Sequence, residues 1–255
     1  MRLTGRTILI TGGSAGIGLA FALKFLELGN TVIVTGRRQN LLDQLKSRHP
    51  KLHTMRGDVA DPAQVAALAV RLKDEFPGLD VLMNNAGIGM PKNLRRPESN
   101  LTGVMAEMDV NVGGVIRVTS ALIDILTANK GTVINVSSAL AFAPVPAMPV
   151  YSATKAAVHS YTQSLRFQLE DSGVEVIELM PPAVQTDMTS EFPEEVRMIT
   201  TDELIRQTFA ALKAGKLEIR PGQSNQFAFL RRLAPNFINR QLWKVSKEMV
   251  PVGAA

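Results

Sequence analysis

The beginning of the chain carries the pattern that most restricts the fold. A continuous run of β-branched and apolar residues at 7–10 leads into a glycine-rich turn at 11–18, and a helical apolar pattern then runs from Ile17 to Leu28. A strand without polar alternation is typical of a strand buried on both faces of a parallel sheet. Because parallel strands need long crossover connections, we expect this strand–turn–helix unit to recur along the chain.

The rest of the chain repeats the unit. We predict strands at 31–35, 51–55, 79–83, 132–136, 174–179 and 217–220, helices at about 41–48, 63–76, 107–128, 151–170 and 201–215, and a polar loop at 91–100. Hydrophobic residues make up 45% of the chain, which is enough for a large core. No linker interrupts the alternation, so we predict one α/β domain over residues 1–255.

Composition excludes some kinds of site. The chain has no Cys, and His49, His53 and His159 are too scattered for a metal cluster, so we predict no metal site. His159 is expected on a helix surface. The N-terminus lacks a signal-peptide pattern and no apolar run approaches the roughly 20 residues of a membrane span, which predicts a cytoplasmic protein. The net charge of +5 suits a phosphate-bearing ligand or an anionic surface.

The glycine-rich turn leads into a helix N-terminus, where backbone N–H groups are free and the helix dipole is positive. Glycines let the backbone approach a pyrophosphate closely, so this context favours a dinucleotide-binding loop over an ordinary tight turn. The residues expected at the cofactor are Gly12, Ser14, Ala15, Gly16, Ile17 and Gly18.

The end of the second predicted strand indicates which dinucleotide binds. NAD-preferring proteins usually place an acidic residue there for the ribose 2′-hydroxyl, whereas this chain has Arg37 and Arg38. Guanidinium groups can bind a 2′-phosphate, and the Ser14 hydroxyl can add a donor. We therefore predict a preference for NADP(H), with NAD(H) as the second choice. In the other interpretation one or both arginines, Arg38 above all, only begin a solvated helix.

The end of the third strand carries Asp58 and Val59. Asp58 can receive the adenine amino group or can start the next helix, although Asp61 already provides an N-cap before a proline. Both interpretations of Asp58 stay open at this point, and we include Asp58 and Val59 among the expected cofactor contacts.

Small residues follow the fourth strand, where Asn85, Ala86 and Gly87 would let a cofactor ribose lie against the sheet edge. Asn85 can also bond to the backbone of a neighbouring strand. Further on, Asn111 precedes a glycine pair at 113–114 inside a helical stretch, which costs about 1 kcal/mol for each Gly. Such a violation indicates a kink with a functional reason.

Tyr151 and Lys155 are four residues apart in a predicted helix, so their side chains lie on one face, one turn apart. A nearby cation lowers the pKa of a phenol and burial raises it. Lowering that pKa to near neutrality, by about 3 units, takes about 4 kcal/mol. Alone, this spacing is more typical of a surface Tyr and a solvated Lys on an amphipathic helix. Ser137 and Ser138 end the fifth strand just before this helix.

In their order and spacing these motifs resemble the short-chain dehydrogenase/reductase family over residues 6–220. Ser138 precedes Tyr151 by 13 residues, the gap usual in that family. Within it, residues 19–38 and 183–187 resemble a DltE-like bacterial branch. The resemblance implies a Rossmann-type doubly wound parallel β-sheet of about seven strands flanked by helices, with a C-terminal helical extension. The motifs that carry it are Thr11-Gly12, Gly16, Gly18, Asn84-Asn85-Ala86-Gly87, Asn111, Ser138, Tyr151 and Lys155.

The resemblance also implies roles for four catalytic residues. Tyr151 would be the general acid in carbonyl reduction and the base in alcohol oxidation, and Lys155 would lower its pKa and bind the nicotinamide ribose. Ser138, rather than Ser137, would bond the substrate oxygen. Asn111 would fix a water in a proton relay to Lys155. A carbonyl that receives hydride needs such a proton and such donors to its oxygen.

The sixth strand ends in residues that the resemblance places at the nicotinamide. Val184 and Thr186 would contact the carboxamide, with Pro181 beside them. The family commonly has Pro-Gly where this chain has Pro181-Pro182. The second proline removes an N–H and fixes φ, so the geometry there can differ from the family's.

Taken together, the motifs imply an NADP(H)-dependent oxidoreductase that transfers hydride between nicotinamide and a small carbonyl or alcohol substrate, as a homodimer or homotetramer. The alternative is a catalytically silent NADP(H)-sensing regulator of the same fold, which would not need the complete proton-transfer set. A nucleic-acid binder is disfavoured because the chain shows no clustered basic and aromatic strand face.

Two segments near the C-terminus would decide the substrate. We predict a substrate lid over about 187–215 and an extension over about 223–255 that is basic, amphipathic and broken by Pro235. The extension either packs on a second subunit or covers the substrate cleft. Peripheral contact with an anionic membrane is the less favoured alternative, and a solvated tail is the third.

Overall fold

The computed structural model describes residues 1–92 and 101–250, and for Leu101 only the backbone. Most of the predicted loop at 91–100 and the last five residues of the predicted extension lie outside these ranges. Within them the chain forms one parallel sheet in the order β3-β2-β1-β4-β5-β6-β7. Its strands are β1 Thr7–Thr11, β2 Thr31–Gly36, β3 His53–Arg56, β4 Leu79–Asn84, β5 Thr132–Val136, β6 Glu175–Leu179 and β7 Glu218–Ile219.

Helices connect the strands and cover both faces of the sheet. They are α1 Gly16–Glu27, α2 Gln39–Arg48, α3 Pro62–Glu75, α4 Leu101–Met108, α5 Gly114–Ala128, α6 Pro149–Gln168, α7 Thr201–Lys213, α8 Ser224–Leu233 and α9 Pro235–Ser246. The strand order reverses at β1, which lies between β2 and β4. This is the doubly wound Rossmann-type fold that the sequence predicts, and its ligand crevice lies at the carboxyl ends of the strands beside the reversal.

Successive residues of one strand face opposite cores, as the two-residue period of a strand requires. Ile8 and Ile10 of β1 pack toward α1, α2 and α7, whereas Leu9 between them packs toward α3, α5 and α6. All three side chains are completely buried. The continuous apolar run at 7–10 is therefore explained by a sheet that is covered on both sides.

Helix α7 corrects the extent of the predicted lid. Its Phe209 lies 5.0 Å from Phe25 and 6.1 Å from Phe21 between ring centroids, in the core beneath the sheet. Thr200 caps the helix by accepting a hydrogen bond from the Glu203 N–H. Residues 201–213 are therefore part of the core, and only the segment 187–199 stays available as a lid.

The glycine pair at 113–114 ends a π-helical turn, Asp109–Gly113, between α4 and α5. A Cβ on Gly114 would lie 2.6 Å from Cγ2 of Val59, so the second glycine is required for close packing against the end of β3. The predicted kink at Asn111 is this π turn, a feature that often occurs at functional sites.

One helical stretch among the described residues, Thr102–Ala128, has the length and apolar composition that could cross a membrane. It comprises most of α4, the π turn and α5. Of its most apolar window, 44% is buried inside the protein. Val115, Val118, Leu122 and Leu126 of α5 are among these buried side chains, so we interpret the stretch as a core helix.

Candidate active site

A single cavity of about 650 Å³ runs along the carboxyl edge of the sheet, from the glycine-rich turn to α9. It brings together nearly all residues that the sequence predicts at a site. Those that line it are Gly12, Ser14, Ala15, Gly16, Ile17, Arg37, Arg38, Asp58, Val59, Asn85, Ala86, Gly87, Ser138, Tyr151, Lys155, Pro181, Val184 and Thr186. Gly18 and Asn111 do not line the cavity and lie behind its wall.

The glycine-rich turn is fixed by close packing. Gly12 has φ +64°, and a Cβ there would lie 2.8 Å from Cα of Ala86. A Cβ on Gly18 would lie 2.4 Å from Nδ2 of Asn85, which donates hydrogen bonds to the carbonyls of Thr11 and Gly12 at 3.0 and 3.2 Å. Gly18 is therefore needed to hold the turn against β4, and its neighbours present backbone to the cavity. This close, side-chain-free cradle at a helix N-terminus fits a dinucleotide pyrophosphate.

The next part of the cavity carries the two arginines. The Arg37 side chain is 60% exposed, and its Nη1 lies 4.0 Å from Oδ2 of Asp58. Arg38 occupies the N-cap position of α2 without a capping side-chain bond. Asp61 caps α3 by accepting from the Ala63 and Gln64 N–H groups, so Asp58 is not the cap of that helix. Asp58 instead accepts from the Ala60 N–H and faces the cavity.

Tyr151, Lys155 and Ser138 meet in the middle of the cavity. Lys155 Nζ donates a 2.8 Å hydrogen bond to the Val136 carbonyl and lies 5.5 Å from the centroid of the Tyr151 ring. Ser138 Oγ accepts from the Leu140 N–H at 3.1 Å. Gly89 packs so closely on the Tyr151 ring that a Cβ would lie 2.4 Å from Cδ2. Sequence reasoning missed Gly89, because a lone glycine in a loop carries no signal of what it touches.

Burial dominates the electrostatics of this group. Burial raises the pKa of Tyr151 to about 12. A hydrogen bond with Ser138 lowers this pKa, and the negative charge of Glu107 raises it further. Burial also lowers the pKa of Lys155 to about 8. Desolvation, and not the expected lowering by Lys155, therefore sets the phenol pKa among the protein's own groups. At neutral pH Tyr151 is a protonated hydroxyl that can donate.

Both polar atoms of the Asn111 side chain form hydrogen bonds within the protein. Its Oδ1 accepts from the Ile88 N–H at 2.8 Å, and its Nδ2 donates to the Ile88 carbonyl and to Thr154 Oγ1 at 2.8 and 3.0 Å. These bonds fix the loop after β4. A Cβ on Gly87 would lie 3.4 Å from Oδ1 of Asn111 and 3.6 Å from Nζ of Lys155, so the two side chains flank the same glycine.

Comparison with known proteins agrees with this fold. The family model for short chain dehydrogenases matches residues 6–197, about three quarters of the chain. The chain is a short-chain dehydrogenase/reductase. It is 39% identical over 224 residues to the uncharacterized oxidoreductase DltE of Bacillus subtilis, covering 86% of this chain and 89% of that protein.

Solved structures of other short-chain dehydrogenases share the fold. One from Burkholderia cenocepacia, in complex with NADP, has a TM-score of 0.83 at 28% identity and covers 95% of this chain and 99% of that one. One from Burkholderia phymatum, in complex with NAD, has a TM-score of 0.80 at 25% identity, with coverages of 93% and 96%. This chain is therefore an oxidoreductase of the NAD(P)-binding Rossmann class.

The end of the cavity away from the glycine-rich turn is lined by residues that sequence reasoning did not assign individually to a site. Besides the segment 187–199, the lining includes Leu140, Ala143, Val145, Met148, Phe227, Ile238, Gln241, Leu242, Val245, Ser246 and Met249. The described part of the extension contributes side chains of α8 and α9 to this lining. The signal was present in the sequence, because 238, 242, 245 and 249 follow a helical period.

Proposed function

We propose that this short-chain dehydrogenase uses NADP(H) to interconvert a carbonyl compound and its alcohol, with Tyr151 as proton donor in reduction and acceptor in oxidation. The observation that carries the proposal is the meeting of Tyr151, Ser138 and Lys155 inside the cavity that begins at the glycine-rich turn.

The cradle at Gly12–Ile17 would bind the pyrophosphate through backbone N–H groups. Arg37 and the Ser14 hydroxyl would bind a 2′-phosphate, since the Arg37 side chain is mostly exposed and Asp58, its acidic partner among the described residues, is 4.0 Å away. Asp58 and Val59 would contact the adenine, and Asn85–Gly87 the ribose. Pro181, Val184 and Thr186 would border the nicotinamide, which supplies or accepts the hydride when bound.

The protein's own side chains would supply the proton and orient the substrate. Tyr151 has a pKa of about 12, so it carries its proton at neutral pH and can donate it to a carbonyl oxygen that is becoming an alkoxide. Ser138 lies beside that hydroxyl and can bond to the same oxygen. Donors fixed in this way need no reorganisation during the reaction.

Lys155 would return a proton toward Tyr151, because its pKa of about 8 lets it exchange protons near neutrality. The side chain of Asn111 is fully committed to Ile88 and Thr154, so any relay through this residue would use its backbone carbonyl in the π turn. No observation favours the silent regulator, since the proton-transfer set is complete.

The test is Tyr151→Phe. We expect kcat/KM for carbonyl reduction to fall by at least about 1,000-fold, within the range for loss of a general acid, with NADPH affinity changed less than about threefold. Tyr161→Phe is the matched control, because Tyr161 is the only other tyrosine and lies on the same helix, α6. Activity retained in Tyr151→Phe would remove the proposed role.

We also propose that copies of this chain associate. Met105, Met108 and Ile116 are exposed large side chains along the α4–α5 stretch, with exposed fractions of 52%, 38% and 40%. An exposed apolar face of this kind is typical of an interface between subunits. Light scattering should give a dimer or tetramer mass, and Met105→Lys/Ile116→Lys should shift it toward the monomer. A monomer mass for the wild type would overturn this proposal.

A further inference from the structure

The half of the cavity away from the glycine-rich turn has a wall made of apolar side chains. Met148, Phe192, Phe227, Ile238, Leu242 and Met249 face it from four separate segments. The charged residues that reach this half are Asp187, Glu195 and Arg197, which are all exposed and so lie at the rim. In the part of the chain that the structure describes, this wall offers no buried counter-charge to an ionic substrate.

Helix α9 has two distinct faces. Ile238, Leu242 and Val245 repeat every three or four residues and line the cavity, and Met249 in the 3-10 turn after α9 continues this stripe. The other sides of α9 carry Phe237, Arg240, Trp243 and Lys244, and Lys247 follows at its C-terminal end. Within α9 only Ile238 and Ser246 are buried, so most of the inner apolar stripe faces the cavity rather than a packed core.

We propose that the substrate is an uncharged carbonyl compound with a long or bulky apolar body. This inference rests on the proposed function, because the carbonyl oxygen lies at Ser138 and Tyr151. The apolar body extends from there along α9. Burial of hydrocarbon against this stripe then provides the main discrimination between substrates.

The first test is a series of unbranched aldehydes from propanal to decanal. We expect kcat/KM to rise by about fourfold for each added methylene until the cavity is filled, the value for burying one CH₂ group. Leu242→Asp should lower kcat/KM for decanal by more than about 30-fold and that for propanal by less than about threefold. Phe237→Asp, on the outer face of the same helix, is the matched control and should change neither. Equal kcat/KM for all chain lengths would overturn the proposal.

A binding measurement separates this inference from the proposed function. Isothermal titration calorimetry with decanamide, an amide that the enzyme cannot reduce, measures binding in the cavity without turnover. Decanamide should give a saturable heat change that is absent in Leu242→Asp. Decanamide binding without reduction of any aldehyde would refute the proposed function and support the apolar site. Aldehyde reduction without decanamide binding would refute the apolar site alone.

A second inference comes from a buried carboxylate that the proposed mechanism does not use. Glu178 of β6 is completely buried, accepts a hydrogen bond from Ser137 Oγ, and lies 2.9 Å through Oε2 from Nδ1 of His159. His159 is thus not the free surface side chain that its place in the sequence predicts. A buried carboxylate is tolerated only with such donors.

Ser137, His159 and Glu178 each lie close in sequence to a residue of the candidate active site. Ser137 precedes Ser138, His159 lies one turn beyond Lys155 on α6, and Glu178 is three residues before Pro181. The Pro181 carbonyl accepts from the Ala139 N–H at 2.9 Å, which ties the same two strand ends together again.

We infer that Glu178 and His159 are positioning residues, which keep Ser138, Lys155 and Pro181 in register through Ser137 and α6. The hydrogen bond that His159 donates to Glu178 raises the pKa of His159, and partial burial opposes this effect. Glu218 and Arg220 also face the imidazole, with opposite effects on that pKa, and Arg166 lies 3.7 Å from Glu218. Phe142 packs edge-on against the ring.

His159→Gln tests the inference, because glutamine keeps a donor to Glu178 but does not titrate. The folded pKa of His159 is raised, so its contribution to stability is fully present below about pH 6.5 and is lost as the pH rises through the folded pKa. The stability difference between wild type and His159→Gln should shrink over that window.

Both proteins retain the titration of Lys155, so wild-type kcat should fall by about two- to fivefold more than kcat of His159→Gln over the same window. The KM for NADPH should be unchanged in both. Glu178→Gln should also lose the pH dependence of kcat that the wild type owes to His159. Superimposable kcat profiles for wild type and His159→Gln would refute the positioning role, even if their stabilities differed.

Discussion

The two halves of the active-site cavity are built from different materials. The cofactor half consists of strand ends, glycine backbone and short side chains that hydrogen bonds fix in place, such as Asn85 to Thr11 and Gly12. The substrate half consists of side chains from the segment 187–199 and from α8 and α9, which contribute few buried residues of their own. The cofactor half is therefore shaped mainly by backbone, whereas the substrate half is shaped by side chains that can be exchanged.

This difference separates the chemistry of binding a dinucleotide from the choice of substrate. A backbone cradle cannot be altered without strain, because its glycines have neighbours where a Cβ would be. An apolar stripe on a surface helix can be changed residue by residue with little effect on the fold. We therefore expect substitutions in the cofactor half to change NADPH affinity, and substitutions in the substrate half to leave it nearly unchanged.

The largest effect is expected where the halves meet. Ser138→Ala should lower kcat by about 100-fold, as for loss of one oxyanion donor, and leave both NADPH and decanamide affinity nearly unchanged. Stopped-flow or steady-state reduction with parallel binding titrations would measure this. A drop of only twofold would assign the carbonyl oxygen to another group.

In the cofactor half, Gly12→Ala combines a left-handed φ with a contact of 2.8 Å to the Ala86 backbone. We expect NADPH affinity to fall by about 30-fold, equivalent to strain of about 2 kcal/mol. Gly29→Ala is the matched control, since it has φ +79° and no atom within 4 Å of the added Cβ. Equal losses of affinity in the two variants would show that the cradle is not preformed.

Arg37→Asp should lower the ratio of kcat/KM for NADPH over NADH by about tenfold or more, because a charge-assisted bond is replaced by repulsion. Arg38→Asp tests the alternative interpretation, in which Arg38 only begins α2. In that case the ratio of kcat/KM for NADPH over NADH should change little in this variant. An unchanged ratio in Arg37→Asp would show that the 2′-phosphate binds elsewhere.

The smallest effect on NADPH binding is expected from removing the C-terminal part of the substrate half. Truncation after Gly222 removes the buried Ile238 and the 3.1 Å hydrogen bond from Arg231 Nε to the Phe142 carbonyl. We expect Tm to fall by roughly 5 °C, for a loss of about 2 kcal/mol, while NADPH affinity changes less than twofold. Loss of NADPH binding would contradict the separation of the halves.

The same pair of proteins tests the membrane alternative for the extension. Phe229, Leu233, Phe237 and Trp243 are exposed on α8 and α9 beside several basic side chains. If the extension binds anionic lipid, only the full chain should float with anionic vesicles. Equal behaviour of the full and truncated chains would eliminate the membrane contact.

The sequence alone determined what depends on local order. The parallel fold follows from apolar strands alternating with helices, the cradle from glycines between a strand and a helix, and the Tyr151–Lys155 pair from one helical turn. These features have short-range causes, so the order of amino acids is enough to identify their residues. The family resemblance then assigned a role to each of them.

Only the tertiary structure decided what depends on contacts between distant segments. It placed α7 in the core rather than in a lid, because Phe209 meets Phe21 and Phe25 across the chain. It joined Ser137, His159 and Glu178, and it set the pKa of Tyr151 through burial. It also turned the apolar stripe of α9 toward the cavity, since an amphipathic pattern gives a helix its two faces but not the surface that each face meets.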